Sequence, residues 1–198
     1  FIYCRNPRYS ICIIIIISAH FKLLNLRLGR TVLPAQKSRQ FMKIVLLQTG
    51  KTTEEYIDEG VGNYSARIRK FTPFEIVTLP ELKNTRYMPV KEQKDREGAK
   101  MLQYLQKEDY IIVLDENGQE YTTHEFAGKL EKLFMLQKKR IVFVIGGAYG
   151  LAGDVLDRAD LRLSLSKMTF SHQVVRLLFA EQLYRAFTVI KGEPYHHD

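Results

Sequence analysis

Apolar and polar positions follow two alternating patterns from residue 42 onward. Short runs rich in Val, Ile, Leu and Phe predict strands, and longer stretches with apolar residues three or four apart predict helices between them. This alternation predicts an α/β fold, with a mostly parallel sheet flanked by helices. The predicted strands are Lys43–Gln48, Phe74–Leu79, Tyr110–Leu114, Arg140–Ile145 and Leu161–Leu165.

Local signals set the limits of the helices. The motifs Thr52-x-x-Glu55 and Thr122-x-x-Glu125 have the form of a capping box, in which both side chains bond the backbone where a helix starts. Asn117-Gly118 is a strong turn signal that is predicted to close the third strand. The predicted helices run from Thr52 to about Lys70, over Lys91–Lys107, from Thr122 to about Lys138, over about Leu151–Ala159 and over Ser171–Phe187.

Net charge says little about a partner. The 198 residues include 30 Lys and Arg and 22 Asp and Glu, for a formal net charge of +8. Residues 1–41 hold seven of the cations and none of the anions, so the rest of the chain is nearly neutral and bulk charge is weak evidence for a nucleic-acid partner. Both cysteines, Cys4 and Cys12, also lie in residues 1–41, which leaves no cysteine for a metal site elsewhere.

Residues 1–41 form a leader with three interpretations. Arg5 and Arg8 precede the apolar run Cys12–Ile17, as in a signal peptide, but this run is shorter than the roughly 20 apolar residues of a membrane span. The other two interpretations are a native extension and translated upstream sequence before a true start at Met42. We favour a misassigned start, because Met42 directly opens the first predicted strand. The predicted domain is therefore residues 42–198.

Three predicted strand ends are candidate ligand sites, because open α/β sheets bind ligands beyond the carboxyl ends of their strands. They are Leu114-Asp115, Gly146-Gly147 and Leu165–Phe170. Glycine lets a ligand approach the backbone closely, although a pair of glycines also suits a plain tight turn. The sequence matches neither a P-loop nor a G-x-G-x-x-G motif, which argues against the common nucleotide-binding loops.

The start of the last predicted helix carries a second candidate site. Ser171 is the predicted N-cap, which would place His172 at the first helical position, Arg176 one turn later and Tyr184 two turns further on nearly the same face. The positive end of the helix dipole disfavours a protonated imidazole, so His172 is expected to be neutral. The alternative is that His172 only caps the helix and Arg176 pairs with a carboxylate.

The C-terminal residues contain an aromatic residue and two histidines, Tyr195, His196 and His197, after Gly192 and Pro194. They suit a lid or a base-stacking arm, although chain ends are usually solvated and frayed. As a metal site they are poor, because no other cluster of His or Cys has ligand spacing.

Several of these segments together resemble one bacterial family. In their order and spacing they resemble the RlmH family, ribosomal RNA large-subunit methyltransferases of the SPOUT superfamily. The resemblance covers residues 42–198, and residues 1–41 have no counterpart in it. The motifs are Met42-Lys43-Ile44, Val144-Ile145-Gly146-Gly147-x-x-Gly150-Leu151, Leu163-Ser164-Leu165-Ser166-Lys167-Met168-Thr169-Phe170-x-His172-Gln173-x-x-Arg176, Glu181-Gln182-x-Tyr184-Arg185-Ala186 and Gly192-Glu193-x-Tyr195-His196.

The resemblance implies a SPOUT domain with a C-terminal trefoil knot that works as a cytoplasmic homodimer. It implies methyl transfer from S-adenosyl-L-methionine to N3 of a pseudouridine in 23S rRNA, with no metal and no membrane partner. The cofactor-binding residues would be Leu114, Gly146, Leu165, Ser166, Lys167, Met168, Thr169 and Phe170.

The remaining site residues follow from the reaction that the resemblance implies. The imide nitrogen must lose a proton, and we expect His172 or His196 to help remove it. Arg176 is expected to stabilise the developing anion or hold a phosphate. Tyr184 and Tyr195 are the candidate substrate-binding residues, and the tail is expected to reach the partner subunit's site.

Two questions stay open at the level of sequence. A loose basic stretch suits a phosphate-binding surface as well as a solvated one. A non-catalytic ribosome-binding factor with the same fold is the rival function, and a SPOUT enzyme with another RNA target is a second rival. The glycine turn and the Leu165–Phe170 loop favour cofactor binding over the first rival. The basic stretch consists of Arg67, Arg69, Lys70, Lys83, Arg86, Lys91, Lys94 and Arg96.

Overall fold

Five parallel strands form the centre of the fold in the computed structural model, which describes residues 42–136 and 138–195. The prediction of a leader in residues 1–41 lies outside the described residues. The sheet has the order β2-β1-β4-β3-β5, so β1 and β4 are neighbours in the middle of the sheet although they are far apart in sequence. The strands are β1 (Lys43–Thr49), β2 (Phe74–Leu79), β3 (Tyr110–Glu120), β4 (Arg140–Ile145) and β5 (Leu161–Ser164).

Helices cover both faces of this sheet, which confirms the predicted α/β architecture. One face packs against α1, α3 and α5 through a core that includes Phe126, Phe143 and Phe179. The other face packs against α2 and α4, with Met101 and Val155 in its core. The helices are α1 (Glu55–Ile68), α2 (Val90–Tyr104), α3 (Thr123–Met135), α4 (Gly153–Arg158) and α5 (Val174–Lys191), and a short 3-10 helix spans Thr85–Tyr87.

The strand with the most continuous apolar run lies in the middle of the sheet. In β4, the residues from Ile141 to Ile145 are all buried, because this strand has neighbours on both edges and helices on both faces. A strand in that position shows no alternation between apolar and polar residues. The predicted limits of β2 and β4 are confirmed to the residue.

The end of the third strand was predicted wrongly. The Asn117 amide donates to Asp115 Oδ1 at 2.9 Å, but β3 continues beyond Asn117-Gly118 to Glu120. Residues 115–118 bulge out of the strand, since Leu114 and Gln119 both lie opposite Leu163 of β5. A Cβ on Gly118 would lie 2.7 Å from the Arg162 carbonyl carbon, so only glycine allows the bulge to pass so close to β5.

The two predicted capping boxes have different outcomes. The box at the start of α3 is confirmed, because Thr122 and Glu125 bond each other's backbone amides. The box at Thr52 is wrong, since α1 starts at Glu55 with Glu54 as its N-cap. The Thr52 hydroxyl instead accepts a hydrogen bond from Arg176 at 2.9 Å. This long-range contact with a buried cation competes with the local cap.

The last helix also begins later than predicted. Its N-cap is Gln173, so His172 lies in the turn before α5 and not at the first helical position. The Ser171 hydroxyl still accepts from the Val174 amide at 3.2 Å. Gln173 is bonded to the loop after β1, where its side chain accepts from the Thr53 amide and donates to the Lys51 carbonyl. This tie holds residues 171–173 in a turn ahead of the helix.

None of the helices formed by the described residues combines the length and apolarity that crossing a bilayer requires. The trefoil knot stays a prediction.

Candidate active site

The carboxyl ends of β3, β4 and β5 surround a cavity of about 630 Å³. This volume lies within the range of small-molecule sites, roughly 300–1,000 Å³. All three strand ends singled out in the sequence contribute to its walls. The residues lining it include Lys94, Leu114, Asp115, Asn117, Ile145, Gly146, Gly147, Tyr149, Gly150, Leu165, Ser166, Met168, Thr169, Phe170, Ser171, His172 and Val175.

The glycine-rich turn after β4 forms one wall of the cavity. The Gly150 amide donates to the Gly147 carbonyl at 3.0 Å, and Gly150 has a φ of +83°, which favours glycine. A Cβ on Gly146 would lie 2.7 Å from the Gly150 carbonyl carbon. A side chain at Gly146 would therefore push the turn out of place.

The Leu165–Phe170 loop forms another part of the cavity wall and is held by two serines. The Ser164 hydroxyl donates to the Ser166 carbonyl, and the Met168 amide donates to the Ser166 hydroxyl, both at 2.9 Å. Met168 and Phe170 are 75% and 41% exposed, so this wall offers apolar side chains to a ligand. Lys167 does not line the cavity and points to Glu120, with 3.9 Å between Nζ and Oε2.

His172 lies half-buried at the wall of the cavity. Burial, together with the charge of Arg176, lowers the pKa of His172 below its ordinary value, while Glu81 and Glu97 act in the opposite direction. The Gln173 amide nitrogen lies 3.2 Å from His172 Nε2. Its orientation is fixed, because the other end of the same amide accepts from the Thr53 N–H.

The hydrogen bonds of Gln173 therefore assign a tautomer to His172. An amide NH₂ facing Nε2 requires a lone pair there, so His172 is neutral and carries its proton on Nδ1. A neutral imidazole agrees with the lowered pKa of His172. In this state Nδ1–H is a hydrogen-bond donor.

Arg176 is fully buried and does not line the cavity. Its guanidinium donates to the Thr49 carbonyl at 2.7 Å and to the Thr52 hydroxyl at 2.9 Å. Desolvation lowers the pKa of Arg176, and Glu81 partly offsets this effect. Arg176 thus fixes the end of β1 against the start of α5.

Unpaired polar atoms collect around this buried cation. Among the described residues, the buried side-chain atoms without a hydrogen-bond partner are Gln48 Oε1, Thr49 Oγ1 and Arg176 Nε. Buried polar groups without partners are rare in native structures, and each needs an explanation, of which a functional role is one. All three belong to the region where the end of β1 meets α5, beside His172.

Glu97 supports the glycine turn of the cavity wall, a role that the sequence did not reveal. Its side chain is buried in α2, one oxygen accepts from Gln93 at 3.0 Å, and the other lies against the backbone of Gly147. Glu97 was hidden in the sequence because it belongs to a helix with many charged residues. No signal in the sequence set Glu97 apart from those residues.

A family model described as "Predicted SPOUT methyltransferase" matches residues 42–196. The chain belongs to this family. This membership confirms the SPOUT family that the motifs indicated, and with it the methyltransferase class.

Two SPOUT relatives match the chain over nearly their whole length. The chain is 45% identical over 157 residues to "Ribosomal RNA large subunit methyltransferase H" of Parabacteroides distasonis, a match that covers 79% of the chain and 100% of that protein. It is 45% identical over 156 residues to the protein of the same name from Christiangramia forsetii, covering 79% and 99%. Among solved structures, a tRNA methyltransferase from Aquifex aeolicus matches at 14% identity with a TM-score of 0.48, covering 79% of the chain and 75% of that protein.

The cavity fits the methyl donor of SPOUT enzymes, S-adenosyl-L-methionine. The glycine turn leaves a cradle that a Cβ at Gly146 would disturb, and the exposed apolar side chains of Met168 and Phe170 suit an adenosine. No group of three or more His, Cys, Asp or Glu in the described part of the chain is placed to hold a metal.

Tyr184 and Tyr195, the other sequence candidates, lie together but away from this SPOUT cavity. Their rings make an edge-to-face contact at 4.7 Å, and the Tyr195 hydroxyl lies 3.3 Å from that of Tyr64 on α1. This hydrogen bond, with burial, raises the pKa of Tyr195 to about 12. The prediction for His196 falls outside the described residues.

Proposed function

We propose that this chain is an S-adenosyl-L-methionine-dependent methyltransferase that methylates N3 of a pseudouridine in the 23S rRNA of the large ribosomal subunit. The observation that carries the proposal is the cavity at the ends of β3, β4 and β5, with its glycine turn in a family of methyltransferases. The name of the relatives supports ribosomal RNA of the large subunit as the substrate. A non-catalytic ribosome-binding factor needs no such cavity and is not favoured.

The proposed cofactor residues are those named from the sequence. Leu114, Gly146 and the residues of the Leu165–Phe170 loop other than Lys167 line the cavity, and they would hold S-adenosyl-L-methionine there. When bound, this group supplies an electrophilic methyl on a sulfonium. Such a methyl needs only an aligned nucleophile, so the work of the chain is to position the acceptor base.

His172 is proposed to act as a hydrogen-bond donor. Because Nε2 accepts from Gln173, Nδ1–H is the group free to face the acceptor base. A donor aimed at a base oxygen stabilises the negative charge that develops when the imide loses its proton. This role leaves removal of the proton to His196 or to solvent.

Arg176 is proposed to be a positioning residue. Its guanidinium holds Thr49 and Thr52 while its charge lowers the pKa of the adjacent His172. Burial and the charge of Arg176 together keep the imidazole neutral, as a donor from Nδ1 requires. The expected assembly is a cytoplasmic homodimer, in which Tyr195 and His196 of one subunit approach the cavity of the other.

The experiment that tests the function uses the full-length chain with large ribosomal subunits that lack the methyl group. Calorimetric titration with S-adenosyl-L-methionine should show binding that Gly146→Arg abolishes, because the new side chain displaces the turn. The matched control is Gly153→Ala, where a Cβ would have no neighbour within 4 Å, and it should bind normally.

Transfer of radiolabelled methyl to the ribosomal RNA should then follow cofactor binding. If the chain binds the cofactor but transfers methyl to another RNA and not to these subunits, the proposed substrate is wrong and the enzyme class holds. If the chain is folded but binds no S-adenosyl-L-methionine, the enzyme proposal is wrong and the ribosome-binding factor is favoured instead.

A further inference from the structure

A second groove lies between the end of α1 and the end of α5. It encloses about 610 Å³, and none of its residues lines the cofactor cavity. We call it the α1–α5 groove. It is lined by Arg67, Lys70, Phe71, Tyr184, Lys191 and Glu193.

The groove carries a local excess of positive charge. Arg67, Lys70 and Lys191 are exposed, and within residues 42–136 and 138–195 none of them forms an ion pair. Glu193 is the one carboxylate of the lining. Cations held together without carboxylate partners favour a ligand that brings its own negative charge.

Two other members of the basic stretch already bond to groups outside the groove. Arg69 donates to the Phe74 carbonyl at 3.1 Å, and Arg96 pairs with Glu92 at 2.6 Å. The structure therefore divides the stretch that the sequence left undecided, and Arg67 and Lys70 are its members in the groove.

Aromatic rings form the wall beside these cations. The Tyr184 ring lies 6.1 Å from that of Phe71, and the Arg67 guanidinium lies 5.5 Å from the centre of the Tyr184 ring. Both rings are only half-buried, so part of each surface is accessible. Tyr195 also packs against Tyr184 and, through its hydroxyl contact with Tyr64, holds the ring in place.

Phosphates beside a stackable base are the ligand that matches this combination. Single-stranded nucleic acids bind where a basic groove follows the backbone and aromatic side chains stack on the bases. We propose that the α1–α5 groove binds a single-stranded segment of the RNA substrate. This inference rests on the proposed function in so far as the substrate is RNA.

In this arrangement, Arg67, Lys70 and Lys191 contact phosphates and Tyr184 stacks with a base. The groove thus binds RNA outside the cofactor cavity of the same subunit. The contacts add affinity without requiring a basic protein overall.

The test measures binding of a short fluorescein-labelled oligouridine to the full-length chain by anisotropy, over a series of KCl concentrations. For single strands, the slope of log K against log salt falls by about 0.7 for each phosphate that the protein no longer neutralises. The double variant Arg67→Ala/Lys70→Ala should therefore reduce the slope by about 1.4. Lys132→Ala is the matched control, since this exposed lysine lines a different groove beside Glu120 and Glu125, and it should leave the slope unchanged.

Tyr184 tests the stacking part of the proposal. Tyr184→Ala should weaken binding roughly 5- to 150-fold with little change in slope, as expected when one base no longer stacks, while Tyr184→Phe should bind like the wild type. If thermal unfolding shows that Tyr184→Ala is not folded, the charge variants alone decide.

An unchanged salt slope in Arg67→Ala/Lys70→Ala overturns the proposal. If that variant instead changes the oligomeric state in sedimentation velocity while the slope stays the same, the groove is a surface between copies of the chain and the RNA assignment is wrong.

The same samples separate this proposal from the proposed function. If oligouridine binds through the groove but ribosomes are not methylated, the groove assignment holds and the proposed function is wrong. If ribosomes are methylated but the groove variants leave the salt slope unchanged, the proposed function holds and the groove assignment is wrong.

Discussion

A single buried arginine organises the residues around the candidate active site. Arg176 has no carboxylate partner among the described residues, and its bonds go to a backbone carbonyl and a hydroxyl near the end of β1. Burying a charge without an opposite charge costs free energy. The arrangement shields the guanidinium from water and places its positive charge beside His172, where it disfavours a second cation.

The neutral state of His172 leads to a prediction about pH. Because the pKa of His172 is lowered from 6.5, the imidazole is neutral at and above pH 6.5 and protonates only as pH falls through the lowered value. Under single-turnover conditions, the part of the methyl-transfer rate that depends on His172 should be constant above pH 6.5 and should fall only as pH drops through the lowered pKa. Protonation would place an N–H against the Gln173 amide and remove the assigned tautomer.

Gln173→Glu is the variant that checks this assignment. A carboxylate next to Nε2 stabilises the protonated imidazole, so the acidic limb of the rate profile should move to higher pH. Gln103→Glu, on the exposed side of α2, adds the same charge elsewhere and should leave the limb in place. If both variants shift the limb equally, the effect is one of overall charge and His172 is not the group that titrates.

At the scale of elements, the two Thr-x-x-Glu motifs show what local sequence can decide. The motif at Thr122 caps α3, because its two side chains bond each other's backbone amides. The motif at Thr52 has the same residues but gives its hydroxyl to Arg176, which is 124 positions away. A capping motif therefore predicts the first residue of a helix reliably only where no distant group needs its side chains.

The capping box of α3 makes a measurable contribution to stability. Thr122→Ala should lower the free energy of unfolding by about 1 kcal/mol, measured by urea denaturation at pH 7. Thr123→Ala changes the neighbouring threonine, which does not cap the helix, and should have a smaller effect.

The destabilisation by Thr122→Ala should also depend on pH. Hydrogen bonds from Thr122 lower the pKa of Glu125 from 4.5, so the stabilisation by its carboxylate is complete above pH 4.5 and is lost as pH falls through the lowered pKa. The difference between wild type and Thr122→Ala should shrink over that window. A difference that stays constant down to low pH would mean that the carboxylate takes no part.

At the scale of the whole molecule, an ion pair joins two inner strands at their amino ends, which is the end of the sheet opposite the cofactor cavity. Arg140 at the start of β4 makes two hydrogen bonds to the Asp109 carboxylate just before β3, at 2.7 and 2.5 Å. Asp109 is 3% exposed. The pair joins two central strands where the chain enters the sheet, and Tyr104 lies beside the guanidinium.

Asp109→Ala should lower the free energy of unfolding by about 3–5 kcal/mol, because it leaves a partly buried guanidinium without its partner. The exposed pair of Asp157 and Arg162, 3.6 Å apart, provides the control. Asp157→Ala should cost less than about 1 kcal/mol. Equal effects of the two variants in urea denaturation would show that burial does not set the strength of these pairs.

The sequence predicted the elements of this molecule better than their arrangement. Runs such as Arg140–Ile145 are local, so their limits were predictable to the residue. The strand order and the bulge at 115–118 depend on pairings between distant segments, which no local pattern contains. In the site, the Leu165–Phe170 loop and Gly146 were predictable because they come directly after strands. The inward orientation of Arg176 was not predictable, because it depends on a bond to a carbonyl in β1.

The position of β1 between two other strands has a consequence for folding during synthesis on the ribosome. β1 pairs with β2 on one side and with β4 on the other, and about 100 residues separate β1 from β4. At synthesis rates of about 5–20 residues per second, roughly 5–20 s pass between translation of the two strands. Throughout that interval the apolar residues of β1 have at most one of their two neighbours, so the nascent chain must be kept from pairing with other strands until β4 emerges.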